Sequence, residues 1–326
     1  MYTTKKGALR GIVNRAKSST AMMLAIVLIV ACCLLNMVND AFFSSYNIST
    51  LIRTISFTTV VAFGQTLVLL TGGIDLSVAG IAGLSGIVSA WLMVNTGINP
   101  FICILLTLAF GFFAGAINGF LVTKVDLVPF IATLATGTVF SGIIYVITKG
   151  WPIQDIPEAV FPLGRGMVGP IPVPFIIMIS IAVILIIALR YFPFGRYIYA
   201  IGGNESAARI SGIKNHQVKL IVYGLSGLLA SLGGVLITCR LGAAQPSVGS
   251  SWVMPSVTAA VIGGTSLLGG QGGIVGTIVG AALTGVISNA IVLLGVSSYW
   301  ENVIIGIVVL IAVTIDRVRI SVNGRK

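Results

Sequence analysis

Apolar residues recur in long runs of about 17 or more along most of the chain. A helix of that length covers roughly 25–33 Å at about 1.5 Å per residue, close to the hydrocarbon thickness of a bilayer. Lipid offers no partner to an open backbone group, so only helices can cross at these lengths. The runs predict ten spans, at about 20–38, 54–71, 78–94, 101–123, 129–147, 172–189, 218–238, 253–268, 273–294 and 299–315. The run 253–268 is the shortest and holds Pro255 and a glycine pair. A tilted, broken or re-entrant segment there leaves a nine-span variant open. The expected fold is all-α: a polytopic membrane protein of about ten transmembrane helices, with residues 1–326 forming one transmembrane domain.

Composition agrees. Only 8% of residues are charged, against about a quarter in soluble domains, and the mean hydropathy is +1.07. The net charge of +11 would suggest nucleic acid in a soluble protein. Here the cations flank apolar runs, which points to topology and lipid headgroups instead and excludes a nucleic-acid partner. With an inner N-terminus, 15 of the 19 Lys and Arg face inward: the basic tails 1–19 and 316–326, Lys124, Arg190, Arg196, Arg209, Lys214 and Lys219. Arg53, Lys149, Arg165 and Arg240 face outward. The positive-inside rule therefore predicts a multi-pass protein with both termini cytoplasmic. Trp151, Trp252 and Trp300 fall at outer ends, as an aromatic belt requires. The four cysteines form no CxxC pair and read as packing residues. Ile29–Cys32 resembles a lipoprotein cleavage box, but the many spans downstream favour a retained first helix.

Residues 148–171 form the one long outer loop, with Pro152, Pro157, Pro162 and Pro170. A cap or docking loop and an unremarkable exposed loop are both open readings. Gly111, Gly115 and Gly119, and again Gly272, Gly276 and Gly280, recur at four-residue spacing and predict close helix contacts, within one subunit or between subunits.

Two helix breaks are expected. In Thr71–Ser77, Gly72 and Gly73 end the second span, and Asp75 or Ser77 caps the third by accepting backbone N–H bonds. A proton or sodium site at Asp75 is the functional alternative. In Gly263–Gly273, Gly263 and Gly264 open a glycine-rich turn. The chain has no Gly-Lys dipeptide, so this is no Walker A loop and nucleotide hydrolysis is not expected in this chain.

Residues 190–217 form the longest polar interval on the inner side. Within it Asn204 suits an N-cap and Glu205 the first turn. Ser206, Ala207, Ala208, Arg209 and Ile210 continue a short helix, and Gly212 ends it. Small Ala207 and Ala208 would admit a partner closely, with Ile210 as apolar contact.

The stretches TGGIDLS (71–77), RYIYAIGGNESAARISGI (196–213), GGTSLLGGQGGIVGTIVG (263–280) and LLGVSSYWENVIIGIVVLIAV (293–313) together resemble the permease subunit of ribose-type bacterial ABC monosaccharide importers. The resemblance implies a bacterial inner-membrane location, a second permease copy, a cytoplasmic ATP-binding subunit and a periplasmic sugar-binding protein. The cargo it implies is a monosaccharide such as ribose or allose, with autoinducer-2-like or nucleoside cargo as alternatives. It assigns ATPase coupling to the short helix at 203–212. ATP and Mg would sit on the partner, with no cofactor in this chain. Polar, uncharged pathway candidates for a sugar are Gln65, Asn118, Thr133, Thr136, Ser141 and Asn289. A secondary transporter or channel is the competing class; it would need ion-coupling carboxylates or a filter.

Overall fold

Helix boundaries follow local chemistry. Proline in the first turn opens five of the helices, where its missing N–H costs nothing, and Asn99 caps one of them by accepting from Phe101 N at 2.9 Å. The computed structural model describes residues 20–297 together with 299, 300, 303, 304, 306, 307, 310 and 314. The basic tails lie outside the described residues, and the expected last span is described only at scattered positions.

The helices are α1 (Thr20–Val38), α2 (Ser45–Leu70), α3 (Val78–Asn95), α4 (Pro100–Thr123), α5 (Pro129–Thr148), α6 (Phe161–Arg165), α7 (Val173–Tyr191), α8 (Pro193–Gly203), α9 (Glu205–Ile210), α10 (Asn215–Leu241), α11 (Val253–Ile262) and α12 (Ile274–Leu293). Among the described residues seven of these, α2, α3, α4, α5, α7, α10 and α12, are long and apolar enough to cross a membrane. The count of ten is therefore not reached there. The expected span 253–268 is a half-length helix of 10 residues, α11. It stops because Gly264 turns to φ 92° and donates back to Val261 O.

α10 is the central post, packed against α4, α2 and α3. Its contact with α4 uses the predicted glycine row: a Cβ on Gly115 would collide with the Tyr223 carbonyl, and one on Gly111 with Ser231. The second row joins α12 to α11, with Gly276 against Gly263 and Gly280 against Ala259. Both rows thus serve packing within this chain. The opposite faces of α4, α5 and α7 expose Leu105, Phe113, Val139, Val146 and Ile184, the surface a hydrocarbon solvent would cover.

Residues 149–172 fold into a cap. Ile156 and Val160 join the apolar cluster of α3 and α4, Ile153 bridges to Ala244, and β1 (Met167–Val168) pairs antiparallel with β2 (Ile171–Pro172). Trp91, Trp151 and Trp300 are exposed, whereas Trp252 is half-buried against the cluster of Val61, Val78 and Ala230.

Candidate functional site

The basic end of the bundle carries α8 and α9. α8 has an apolar face, with Ile198 and Ile201 buried, while Arg196 and Tyr197 are exposed. α9 then forms as its residues predict. Asn204 accepts from Ala207 N at 2.9 Å, and Gly212, at φ 85°, reverses the chain. Glu205, Ser206, Ala207, Arg209 and Ile210 are exposed, Ile210 at 87%. Ala208 differs from expectation: it is buried in the core cluster with Val218 and Val222, so it anchors α9 and offers no surface to a partner.

Two bonds tie α9 to α10. Asn215 Nδ2 donates to Glu205 O at 2.9 Å, and Lys219 Nζ meets Glu205 Oε2 at 2.7 Å, the one ion pair among the described residues. Behind α9, three backbones converge. Gly270 N donates to Leu70 O at 3.0 Å, and a Cβ on Gly202 would strike both Leu70 O and Gly270 N. The end of α2, the end of α8 and the glycine-rich loop after α11 therefore touch main chain to main chain. Tyr199 reinforces the joint by donating to Gly272 O at 3.0 Å, and burial pushes its phenol above the usual range. A cavity of about 470 Å³ opens beside it, lined in part by Arg190, Tyr199, Gly263, Gly264 and Gly272.

The first helix break is buried, roughly two turns inside the start of α10. The Tyr223 hydroxyl lies 3.4 Å from Ile74 O as its donor. Gly72 takes φ 75° after α2, and a Cβ on Gly73 would meet Tyr223. Asp75 is fully buried. Its Oδ1 accepts from Ser77 N at 3.0 Å and from Ser77 Oγ, and its Oδ2 from Ser226 Oγ at 2.8 Å. Ser77 occupies the N-cap position of α3, yet its hydroxyl makes no capping bond. It donates to Asp75 and accepts from Asn118 Nδ2 at 2.7 Å. Thr136 Oγ1 donates to Asn118 Oδ1 at 2.6 Å, and Leu76 N donates to Thr133 Oγ1 at 3.0 Å.

Asn118, Thr133 and Thr136 therefore converge with Asp75 in one network that holds the unwound segment. Ser141 lies about one turn beyond Gly137 on α5. Asn289 pairs with Asn47 at 2.8 Å instead. Gln65 is fully buried on α2, and neither Nε2 nor Oε1 has a partner. Ser226 and Tyr223 carry no local sequence signal; they look like ordinary positions of an apolar helix.

At the end opposite α9, three arginines interlock. Arg165 Nε donates to Arg240 O at 2.6 Å, Arg53 Nη2 to Arg165 O at 3.3 Å, and Arg240 Nη1 to Thr54 Oγ1 at 3.2 Å. No carboxylate among the described residues pairs with them.

Residues 47–313 match the family described as branched-chain amino acid transport system / permease component. The ribose import permease protein RbsC of Bacillus subtilis (strain 168) is 47% identical over 286 residues, 87% of this chain and 88% of the relative. RbsC of Escherichia coli (strain K12) is 39% identical over 297 residues, 89% and 92% of the two chains. The D-allose transport system permease protein AlsC of the same strain is 37% identical over 279 residues, 85% of each. No solved structure matched the chain. With a capped surface helix at one end, a buried helix break in the middle and this similarity over nearly its whole length, the chain belongs to the branched-chain amino acid transport system permease family, as an ABC permease of the ribose type.

Proposed function

We propose that this chain is the membrane subunit of an ATP-driven monosaccharide importer in the bacterial inner membrane, with its basic end cytoplasmic. Ribose is the first cargo to test, since the relatives named for ribose import are 47% and 39% identical to this chain, against 37% for the allose relative. Two copies would form the pathway. A cytoplasmic subunit carrying ATP and Mg would dock on α9, and a periplasmic sugar-binding protein would dock on the cap and the three arginines at the other end. Those partners would bias inward-open and outward-open states through contacts that differ between the states.

The observation that carries this reading is the build of α9: capped by Asn204, exposed along Glu205–Ala207 and Arg209–Ile210, and anchored inward through Ala208. A short helix so fixed presents Ile210 and Arg209 to a docking groove, and its displacement is passed to α10 through Glu205. The secondary-transporter reading loses support because both Asp75 oxygens are taken by Ser77 and Ser226. That pattern suits a carboxylate holding an unwound segment, and the motion would be powered from outside the chain.

The test is ribose uptake by proteoliposomes holding the permease, its ATP-binding subunit and the binding protein. ATP-dependent accumulation is expected. Accumulation driven by a proton or sodium gradient without the ATP-binding subunit would overturn the proposal.

A further inference from the structure

We infer that residues 245–251, the unwound stretch ahead of α11, line the solute pathway between the two permease copies, where Ser247, Ser250 and Ser251 offer hydroxyls to a neutral polyhydroxylated solute. This rests on the importer reading above and names the face that each copy turns toward the other.

The stretch leaves the cap and dives into the bundle. Ala244 is bridged to Ile153 at the outer end, but a Cβ on Gly249 would press on Ala79 O and Gly83 N of α3. At that level of α3, Ala82 O stands against Gly234 of α10. Trp252 reaches Gly233 and packs with Val61, Val78 and Ala230. α10 supplies the ruler. Its lysine and its arginine, Lys219 and Arg240, stand about 31 Å apart along the axis, roughly the hydrocarbon thickness. On the same scale Ala230, Gly233 and Gly234 lie about 9–15 Å inside Arg240. The chain therefore reaches the middle of the bilayer before α11 begins.

That depth forbids a lipid-facing surface. The N–H groups of Ser247 and Ser251 have no partner among the described residues, and Gln245, Ser247, Ser250 and Ser251 are exposed. Irregular backbone at membrane depth persists only where protein buries it or it lines a water-filled cavity. This protomer covers one side of the stretch, at Gly249, and leaves the serine side open. A second copy, with the watery path between the two, is what covers the serine side.

The flank of α5 extends the same face. A Cβ on Gly83 would meet both Val248 O and Ile144 Cδ1, so the stretch lies beside α5. Thr136 turns to Asn118 of α4, and Ser141 sits about 140° further round the helix. Ser141 therefore borders the serine stretch, with exposed Thr138 and Tyr145 next to it. By contrast α4 and α7 turn residues such as Leu105, Phe113 and Ile184 outward, as lipid requires. Hydroxyls donate and accept, which matches sugar hydroxyls, and none carries a charge to favour an ion.

The experiment places single cysteines in a Cys32→Ser/Cys33→Ser background, since Cys103 and Cys239 are buried. Ser247→Cys and Ser251→Cys are compared with Ile184→Cys on α7 in the proteoliposomes above, using a charged, membrane-impermeant thiosulfonate. The two serine-site variants are expected to label about tenfold faster than Ile184→Cys, because the thiolate is the nucleophile and forms in water. Labelling is expected to lower their ribose uptake severalfold relative to the same unlabelled variant and to leave uptake by Ile184→Cys unchanged. A flexible bis-maleimide is expected to join two permease copies through Ser247→Cys or Ser251→Cys and not through Ile184→Cys. Labelling no faster than at Ile184→Cys, complete labelling with uptake within twofold, or no joined dimer from either serine-site variant overturns the inference. Failure of the unaltered complex to take up ribose would instead count against the cargo reading, and labelling rates and joined dimers would still report on the stretch.

Discussion

Ser226, in the middle of α10, donates to Asp75 Oδ2 at 2.8 Å and so fastens the segment between α2 and α3 to the post that runs through the bundle. Hydrogen bonds to a charged group contribute about 1.5–3 kcal/mol, and a buried acceptor left unmet costs a similar amount. Ser226→Ala is therefore expected to destabilise the permease by about 1–3 kcal/mol, seen as a lower melting temperature in detergent. Asp75→Ala should cost more, since it also frees Ser77. The double variant should cost less than the sum, because both changes act on one network.

Gly115 lies against the backbone of Tyr223 and Gly227. Gly115→Leu is expected to part α4 from α10 and abolish folded yield, since overpacking typically costs about 1–3 kcal/mol per site and backbone cannot yield as a side chain does. Gly142→Ala, on α5 with nothing within 4 Å of a new Cβ, should leave yield and melting temperature unchanged. Size-exclusion profiles of the two variants side by side make the comparison.

On α9 the two faces separate stability from coupling. Ala208→Trp is expected to lower the melting temperature, because the site is enclosed by Val218 and Val222. Ile210→Glu should leave it unchanged, the side chain being 87% exposed, yet should abolish sugar-stimulated ATPase activity and co-purification of the ATP-binding subunit. Co-purification at the normal level would remove Ile210 from the interface. Asn204→Ala should cost about 0.5–2 kcal/mol of cap stability and weaken coupling in proportion.

Arg53, Arg165 and Arg240 gather positive charge with no carboxylate paired to it among the described residues. Arg165, the exposed member, is the one an acidic partner would reach first. Arg165→Glu is expected to slow association of the binding protein by tenfold or more at low ionic strength and to flatten its salt dependence. Stopped-flow association at two salt concentrations reads both.

Much of the α9 end was legible from sequence. The apolar runs marked the spans, and Asn204 and Gly212 bounded α9, because caps and left-handed turns are local chemistry. The glycine rows foretold close helix contact but not which helix would be met. Ser226, Tyr223 and the orphaned state of Gln65 were not legible. Each depends on partners brought together across the chain, as Ser226 and Asp75 are over 151 positions. Ala208 was read as a docking surface because a six-residue helix is too short to show which face turns inward. The run 253–268 read either as a tenth span or as a broken or re-entrant segment, because hydropathy alone does not register where Gly264 turns the backbone. The arginine cluster was hidden for a similar reason: its members come from three separate elements.

The contact of Gly202 with Leu70 and Gly270 contains no side chain. A joint of that kind has no rotamers through which a push could dissipate, so a displacement of α8 would bear directly on the backbone of α2 and of the loop after α11. It also has no adjustable parts. Any residue larger than glycine at position 202 separates the three strands of backbone, so substitution there can break the linkage but cannot tune it. Differences in drive strength among permeases built this way would then be written into the surface of the short helix, with the joint behind it held fixed.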